Sequence, residues 1–190
     1  MNGTHVQSPL ILLGIGGAGA AAAAGLARAY GPGIRILVVD TDARSGAPDL
    51  PFVLLGGALL AGHGSGGRIP EARTAAKEDL PLLDEKLDGV RAAIVVTALG
   101  GGTGGGATVE ILQHLRKNGI VTLLFATTPF AFEGEDRAKK AAAVRSLLEN
   151  DADTSVFLPL DALVGGAGTD NMKDALQRGM DTLATGVTLL

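Results

Sequence analysis

The stretch TALGGGTGGGA, Thr97–Ala107, holds an unbroken run from Gly100 to Gly106 in which only Thr103 is not glycine. On its N-terminal side AAIVVT, Ala92–Thr97, is apolar and β-branched, which predicts a buried strand. On its C-terminal side Val109, Leu112 and Leu115 recur at helical spacing, so Gly105–Lys117 is expected to be a helix that stops at Gly119. A glycine bend between strand and helix exposes successive backbone N–H groups at the positive end of the helix dipole. That arrangement attracts anions, phosphates above all.

The same pattern occurs earlier in the chain. LLGIGGAGA, Leu12–Ala20, follows a strand expected at Leu10–Leu13 and opens an alanine-rich helix expected at Gly17–Tyr30, closed by Gly31-Pro32. Its spacing Gly14-x-Gly16-x-x-Gly19 fits the dinucleotide fingerprint, and Asp40 ends the next strand, expected at Ile34–Val39. The alternation continues outward. Phe52–Leu55 predicts a weak strand, Ile69–Leu87 a helix, Val121–Ala126 a buried strand and Gly134–Asn150 a charged helix. Ser155–Leu158 predicts a strand and Asp170–Leu190 a last helix.

Apolar strands alternating with helices indicate an α/β fold, a Rossmann-like doubly wound parallel sheet in three αβα layers. No linker or break in composition divides the sequence, so residues 1–190 are expected to form a single domain. Such sheets bind ligands beyond the carboxyl ends of their strands. The glycine clusters Gly14–Gly19, Gly62–Gly67 and Gly100–Gly106 fall at or near strand ends and are expected to converge on one crevice. A fourth, Gly165–Gly168, precedes the last expected helix.

Composition narrows the ligand. Hydrophobic residues make up 46% and charged residues 19%, which supports a folded core. Aromatic residues are only 3%, with no Trp, so stacking platforms for nucleic-acid bases are not expected. A net charge of −4 with no long basic run argues equally against a nucleic-acid backbone. The absence of cysteine rules out disulfides and thiolate metal sites and suits a reducing cytoplasm. Leu10–Ala27 carries no charge, but it is mostly Gly and Ala and no Lys or Arg precedes it, so neither a membrane span nor a signal peptide is expected. His5, His63 and His114 lack metal-ligand spacing and are read as surface or loop residues. Lys139 and Lys140 belong to a solvated helix face.

NAD needs one glycine bend, whereas two bends in one crevice suit a longer chain of phosphates. The lysine-bearing loop G-x-x-x-x-G-K-[ST] is absent, so amides, helix dipoles and Mg²⁺ would neutralise the phosphates.

GGGTGGG resembles the tubulin/FtsZ signature, which in FtsZ usually reads GGGTGTG. Gly100, Gly101, Gly102, Thr103, Gly104 and Gly106 match it, and Gly105 stands where a second Thr is usual. GIGGAG resembles the first phosphate loop of FtsZ, and Asp40-Thr41-Asp42-Ala43 resembles its NTDA segment. Gly62–Glu71 resembles the loop that senses the γ-phosphate, with Pro70-Glu71 retained. Pro129-Phe130-Ala131-Phe132-Glu133-Gly134, followed by Arg137, is similar to PFxFEGxxR. The resemblance spans about Leu10 to Leu190. It implies a cytoplasmic domain, cytoskeletal or related to cell division, that binds GTP or GDP with Mg²⁺ held by phosphates and water. NAD binding, as in an oxidoreductase, is the alternative.

The resemblance also implies residue roles. Gly14, Gly16, Gly17, Ala18 and Gly19 would face phosphate in the first loop. Gly64, Ser65 and Gly66 would do so in the γ-phosphate loop. Gly100, Gly101, Gly102, Thr103, Gly104 and Gly105 would do so in the signature. Asp40 and Asp42 would lie near the nucleotide. Pro129, Glu133 and Arg137 would border the ribose, and Asp170 would accept hydrogen bonds from guanine N1 and N2. From the residues alone, Thr103 and Asp170 read equally as helix N-caps, and Glu133 with Arg137 as a solvated i,i+4 ion pair.

Three departures qualify the resemblance. FtsZ commonly has IPND after its sixth strand, with the Asn reading the base; here LPLD puts Leu160 at that position, which weakens guanine selectivity. The γ-phosphate loop has a shifted glycine pattern and an added Arg68, facing phosphate or water. The sequence ends at Leu190, whereas in FtsZ an acidic loop and a second domain follow; that loop enters the next subunit and positions the attacking water. The expectation is therefore slow GTP hydrolysis at most. Assembly would run through self-association by another surface or through binding to a full-length FtsZ.

Overall fold

Six short apolar runs form strands: β1 Leu10–Ile15, β2 Arg35–Asp40, β3 Phe52–Leu54, β4 Ala92–Ala98, β5 Val121–Thr128 and β6 Thr154–Pro159. The computed structural model describes residues 8–30, 35–46 and 49–163. Within it the strands make one parallel sheet in the order β3-β2-β1-β4-β5-β6. The order reverses at β1 and β4, and in doubly wound sheets a crevice opens at that switch point.

The helices are α1 Gly16–Tyr30, α2 Gly57–Leu60, α3 Ile69–Asp79, α4 Pro81–Leu87, α5 Gly102–Lys117 and α6 Glu135–Asp151. Alternate residues of each strand point to opposite faces. Leu12, Ile36, Val38, Ile94, Val96 and Phe125 pack with Ala20, Ala22, Ala23 and Leu26 of α1 on one face. Ile11, Leu13, Leu37, Val95 and Leu124 point to the other face, into a larger core with Ala76, Leu83, Leu112 and Leu148 of α3 to α6. Burial on both faces is why the strands read as continuous apolar runs. Arg35 fastens the bottom of the sheet by donating to the carbonyls of Lys86 and Asp88.

The expected element order holds, with instructive differences. The helix expected over Ile69–Leu87 is two helices, because Pro81 lacks the N–H needed to continue the first and instead starts α4. α5 begins at Gly102, three residues earlier than expected, so most of the glycine run lies inside the helix. Glycine is a poor helix former, but tertiary packing decides here. A Cβ at Gly104 would collide with the Ala98 carbonyl, and one at Gly106 with the Ile69 carbonyl of α3. These glycines bring α5 against β4 and α3. β1 and β5 each run two residues further than expected, to Ile15 and Thr128. The short α2 was not anticipated. The expected helix Asp170–Leu190 and the cluster Gly165–Gly168 lie outside the described residues.

Candidate functional site

Beyond the carboxyl ends of β1, β2, β4 and β5 lies a cavity of about 690 Å³, bordered by Ile15, Asp40, Ala98 and Thr127 at those strand ends. Its size falls in the range that encloses a small organic ligand. Two long helices start at its floor. Gly16, at the first turn of α1, has a left-handed φ of 75° that only glycine adopts without strain. A Cβ there would stand 3.2 Å from the Gly104 amide nitrogen of α5. The N-termini of α1 and α5 therefore meet at one point, with Gly16, Gly17 and Ala18 on one side and Gly101 to Gly104 on the other.

The third glycine cluster closes the wall. Gly62, Gly64, Gly66 and Gly67 all have positive φ, which lets the chain double back. The loop is pinned by a hydroxyl relay. The Thr103 hydroxyl lies 2.7 Å from that of Thr41, which accepts from the Ser65 amide at 3.1 Å. Thr41, Ser65 and Thr103 are all buried. Gly64 and Ser65 line the cavity with Gly66.

The turn after β2 contributes charge. The Asp40 carboxylate is buried and accepts from the amides of Thr41 and Asp42. Asp42 caps the single turn Ala43–Ser45 by accepting from the Arg44 amide. It also accepts from Nε and Nη2 of Arg44 at 3.0 and 2.7 Å. These side-chain bonds first, and the amide bond second, hold the Asp42 pKa at about 2. Asp42 forms an antiparallel bridge with His63, joining this turn to the glycine loop.

The opposite end of the cavity is apolar. Phe130 and Leu160 are buried against each other and both line it. Phe132 stacks on Phe130 with ring centroids 4.8 Å apart. Glu133 accepts from the Phe130 amide at 2.9 Å and pairs with Arg137, one turn on. Both line the cavity, as does Pro129. At the end of β5, Thr127 borders the cavity; its hydroxyl is fully buried and has no hydrogen-bond partner among the described residues.

Most residues singled out from the sequence thus meet in one place. Four do not touch the cavity. Gly14 and Gly19 face each other behind it; a Cβ on Gly14 would stand 2.5 Å from the Gly19 carbonyl oxygen, and one on Gly19 2.5 Å from that of Val96. They bring α1 onto the sheet. Gly100, with φ of 92°, makes the turn under Pro129 and Arg137, and Gly105 faces Ile69 and Val144. Asp170 lies outside the described residues. Arg68 pairs with Glu71 and does not line the cavity. His63, read as a plain loop residue, does line it. Sequence reasoning missed Arg44, Ser45, Thr41 and Thr127. Thr41 lies inside the DTDA segment, Arg44 and Ser45 follow it directly, and Thr127 sits two residues before PFAFEG, so proximity to those motifs was the available signal.

A sequence profile of the Tubulin/FtsZ family, GTPase domain, matches residues 9–168. The chain belongs to the Tubulin/FtsZ family. It is 32% identical over 187 residues to the cell division protein FtsZ of Pseudomonas putida, covering 95% of this chain and 46% of that protein. It is 32% identical over 162 residues to FtsZ of Caulobacter vibrioides, covering 82% of this chain and 31% of that protein. An FtsZ dimer from M. jannaschii superposes with a TM-score of 0.88 at 27% identity, covering 97% of this chain and 54% of that one. The chain thus spans about a third to a half of the curated relatives. Membership in the Tubulin/FtsZ family accounts for Gly14–Gly19 without the dinucleotide reading, whose fingerprint reflects the shared switch-point geometry.

Proposed function

We propose that this Tubulin/FtsZ domain binds a guanine nucleotide in the cavity, phosphates on the paired helix N-termini and base toward Phe130 and Leu160. The observation that carries the reading is the contact of Gly16 with Gly104, which aims two sets of backbone N–H groups at one point. Helix dipoles and amides there favour a chain of negative charge. Glu133 and Arg137 border the ribose in this pose.

The described residues hold no group of three or more His, Asp or Glu placed to bind a metal ion. Mg²⁺ is proposed to sit on phosphate oxygens and water, where it would offset phosphate charge. Among the described residues, the carboxylates lining the ligand-free cavity are engaged: Asp40 with two amides, Asp42 with Arg44 and Glu133 with Phe130 and Arg137. Slow turnover at most is part of the proposal. A role in the cytoskeleton or cell division, in the cytoplasm and with self-association, is part of the proposal, supported by the likeness to cell division protein FtsZ. No described helix is long and apolar enough to cross a membrane. Calorimetric titration with GTP, GDP and NAD tests the reading. Micromolar or tighter guanine-nucleotide binding supports it; NAD binding without GTP binding overturns it. Sedimentation with and without GTP tests assembly, and a monomer in both removes that part.

A further inference from the structure

The cavity holds two arginines at opposite ends and no lysine among its described lining residues. Arg137 belongs to the apolar end and is tied to Glu133. Arg44 belongs to the end where the phosphates would lie. Its turn abuts α1: the Ser45 hydroxyl is 3.8 Å from where a Gly17 Cβ would stand. On the other side the Asp42–His63 bridge joins the turn to the glycine loop of Gly62 to Gly67. The Arg44 side chain is 83% exposed and, among the described residues, is held by Asp42 alone, in a two-point grip.

We propose that Arg44 is the terminal-phosphate ligand of this site, released by Asp42 when a nucleoside triphosphate enters. This rests on the guanine-nucleotide reading above and deepens it. A guanidinium offers the same planar pair of N–H donors to a carboxylate or to a phosphate. The carboxylate of Asp42 thus keeps the fork oriented at the cavity rim, and a doubly charged terminal phosphate competes for it. A diphosphate, lying deeper on the helix N-termini, does not reach the fork. Arg44 is then what separates triphosphate from diphosphate in a site whose other phosphate donors are neutral amides and hydroxyls. The low Asp42 pKa agrees with a well-formed grip, since the carboxylate stays charged at any pH near neutrality.

The test is calorimetric titration of GTP and GDP, each with Mg²⁺, into the full chain and into Arg44→Ala, Arg44→Lys and Asp42→Asn. In Arg44→Ala, GTP affinity falls by about tenfold to a hundredfold, the range of a charge-assisted hydrogen bond, while GDP affinity changes less than about threefold. Arg44→Lys recovers part of the loss, because a point charge remains but the fork is gone. Asp42→Asn keeps the turn capped, since Asn accepts from the Arg44 amide as Asp does. It frees the guanidinium and raises the ratio of GTP to GDP affinity. Equal losses for GTP and GDP in Arg44→Ala, or no loss for either, overturn the assignment while leaving the nucleotide reading intact. A wild-type chain that binds neither nucleotide overturns both.

Discussion

Replacing Thr127 with Val exchanges a hydroxyl for a methyl of nearly the same size. The Thr127 hydroxyl is fully buried and has no partner among the described residues, so the ligand-free protein bears its desolvation, about 1–3 kcal/mol. Removing it should stabilise the ligand-free protein by about 1–2 kcal/mol. For a chain of this size that is a rise in Tm of about 2–8 °C. The same burial keeps the hydroxyl out of reach of the cavity, so nucleotide affinity should change less than about twofold. A rise in Tm at unchanged affinity is the opposite of what a general packing defect produces. Differential scanning fluorimetry of the ligand-free protein and titration with GTP measure the two. Thr97 is the control: its hydroxyl lies within hydrogen-bond distance of the Ile15 and Gly104 carbonyls and donates to one of them, so Thr97→Val should lower Tm. A Tm that falls or stays the same in Thr127→Val would refute the reasoning.

Three further outcomes follow from particular residues. A Cβ at Gly101 meets no described protein atom within 4 Å and the backbone there is extended, so Gly101→Ala should leave Tm within about 1 °C while weakening GTP binding at least threefold, as titration will show. Leu160→Asn places an amide beside the base, and competition titration should show its preference for GTP over ATP growing by about tenfold. The Asp153 carboxylate accepts from the Thr122 amide and hydroxyl, in that order of effect, which lowers its pKa. A lowered folded-state pKa gives stability that is present above the ordinary carboxylate range and lost as pH falls below about 4. Denaturation curves of Asp153→Asn should therefore depend less on pH in that acid range than those of the wild type.

The layered fold was legible because strands buried on both faces leave continuous apolar runs, and the glycine bends mark where each meets a helix. The start of α5 was not legible, since glycine propensity argues against a helix at Gly102, and only the carbonyls of Ala98 and Ile69, set against Gly104 and Gly106, show why side chains do not fit in its first turns. For the same reason the motif glycines split into two jobs that look alike in sequence. Gly16, Gly17 and Gly101 border the cavity, whereas Gly14, Gly19 and Gly105 let helices approach their neighbours. Gly102 does both, because it lines the cavity and a Cβ on it would collide with the Ser65 hydroxyl. Substitution at Gly102 would therefore confuse a packing defect with lost binding, and Gly101 is the cleaner position. Thr41 and Thr127 escaped notice because a buried threonine at a strand end has no periodic signature. Their importance lies in partners that the sequence does not display, a hydroxyl 62 residues away for Thr41 and none for Thr127.

The most direct measurement is the identity of the nucleotide carried by the purified chain, released by denaturation and separated by chromatography, followed by back-titration of the emptied protein. The account predicts GDP or GTP, and rebinding of guanine nucleotide at micromolar concentration or below. Recovery of NAD, or failure of the emptied and still folded protein to bind GTP at millimolar concentration, would contradict it.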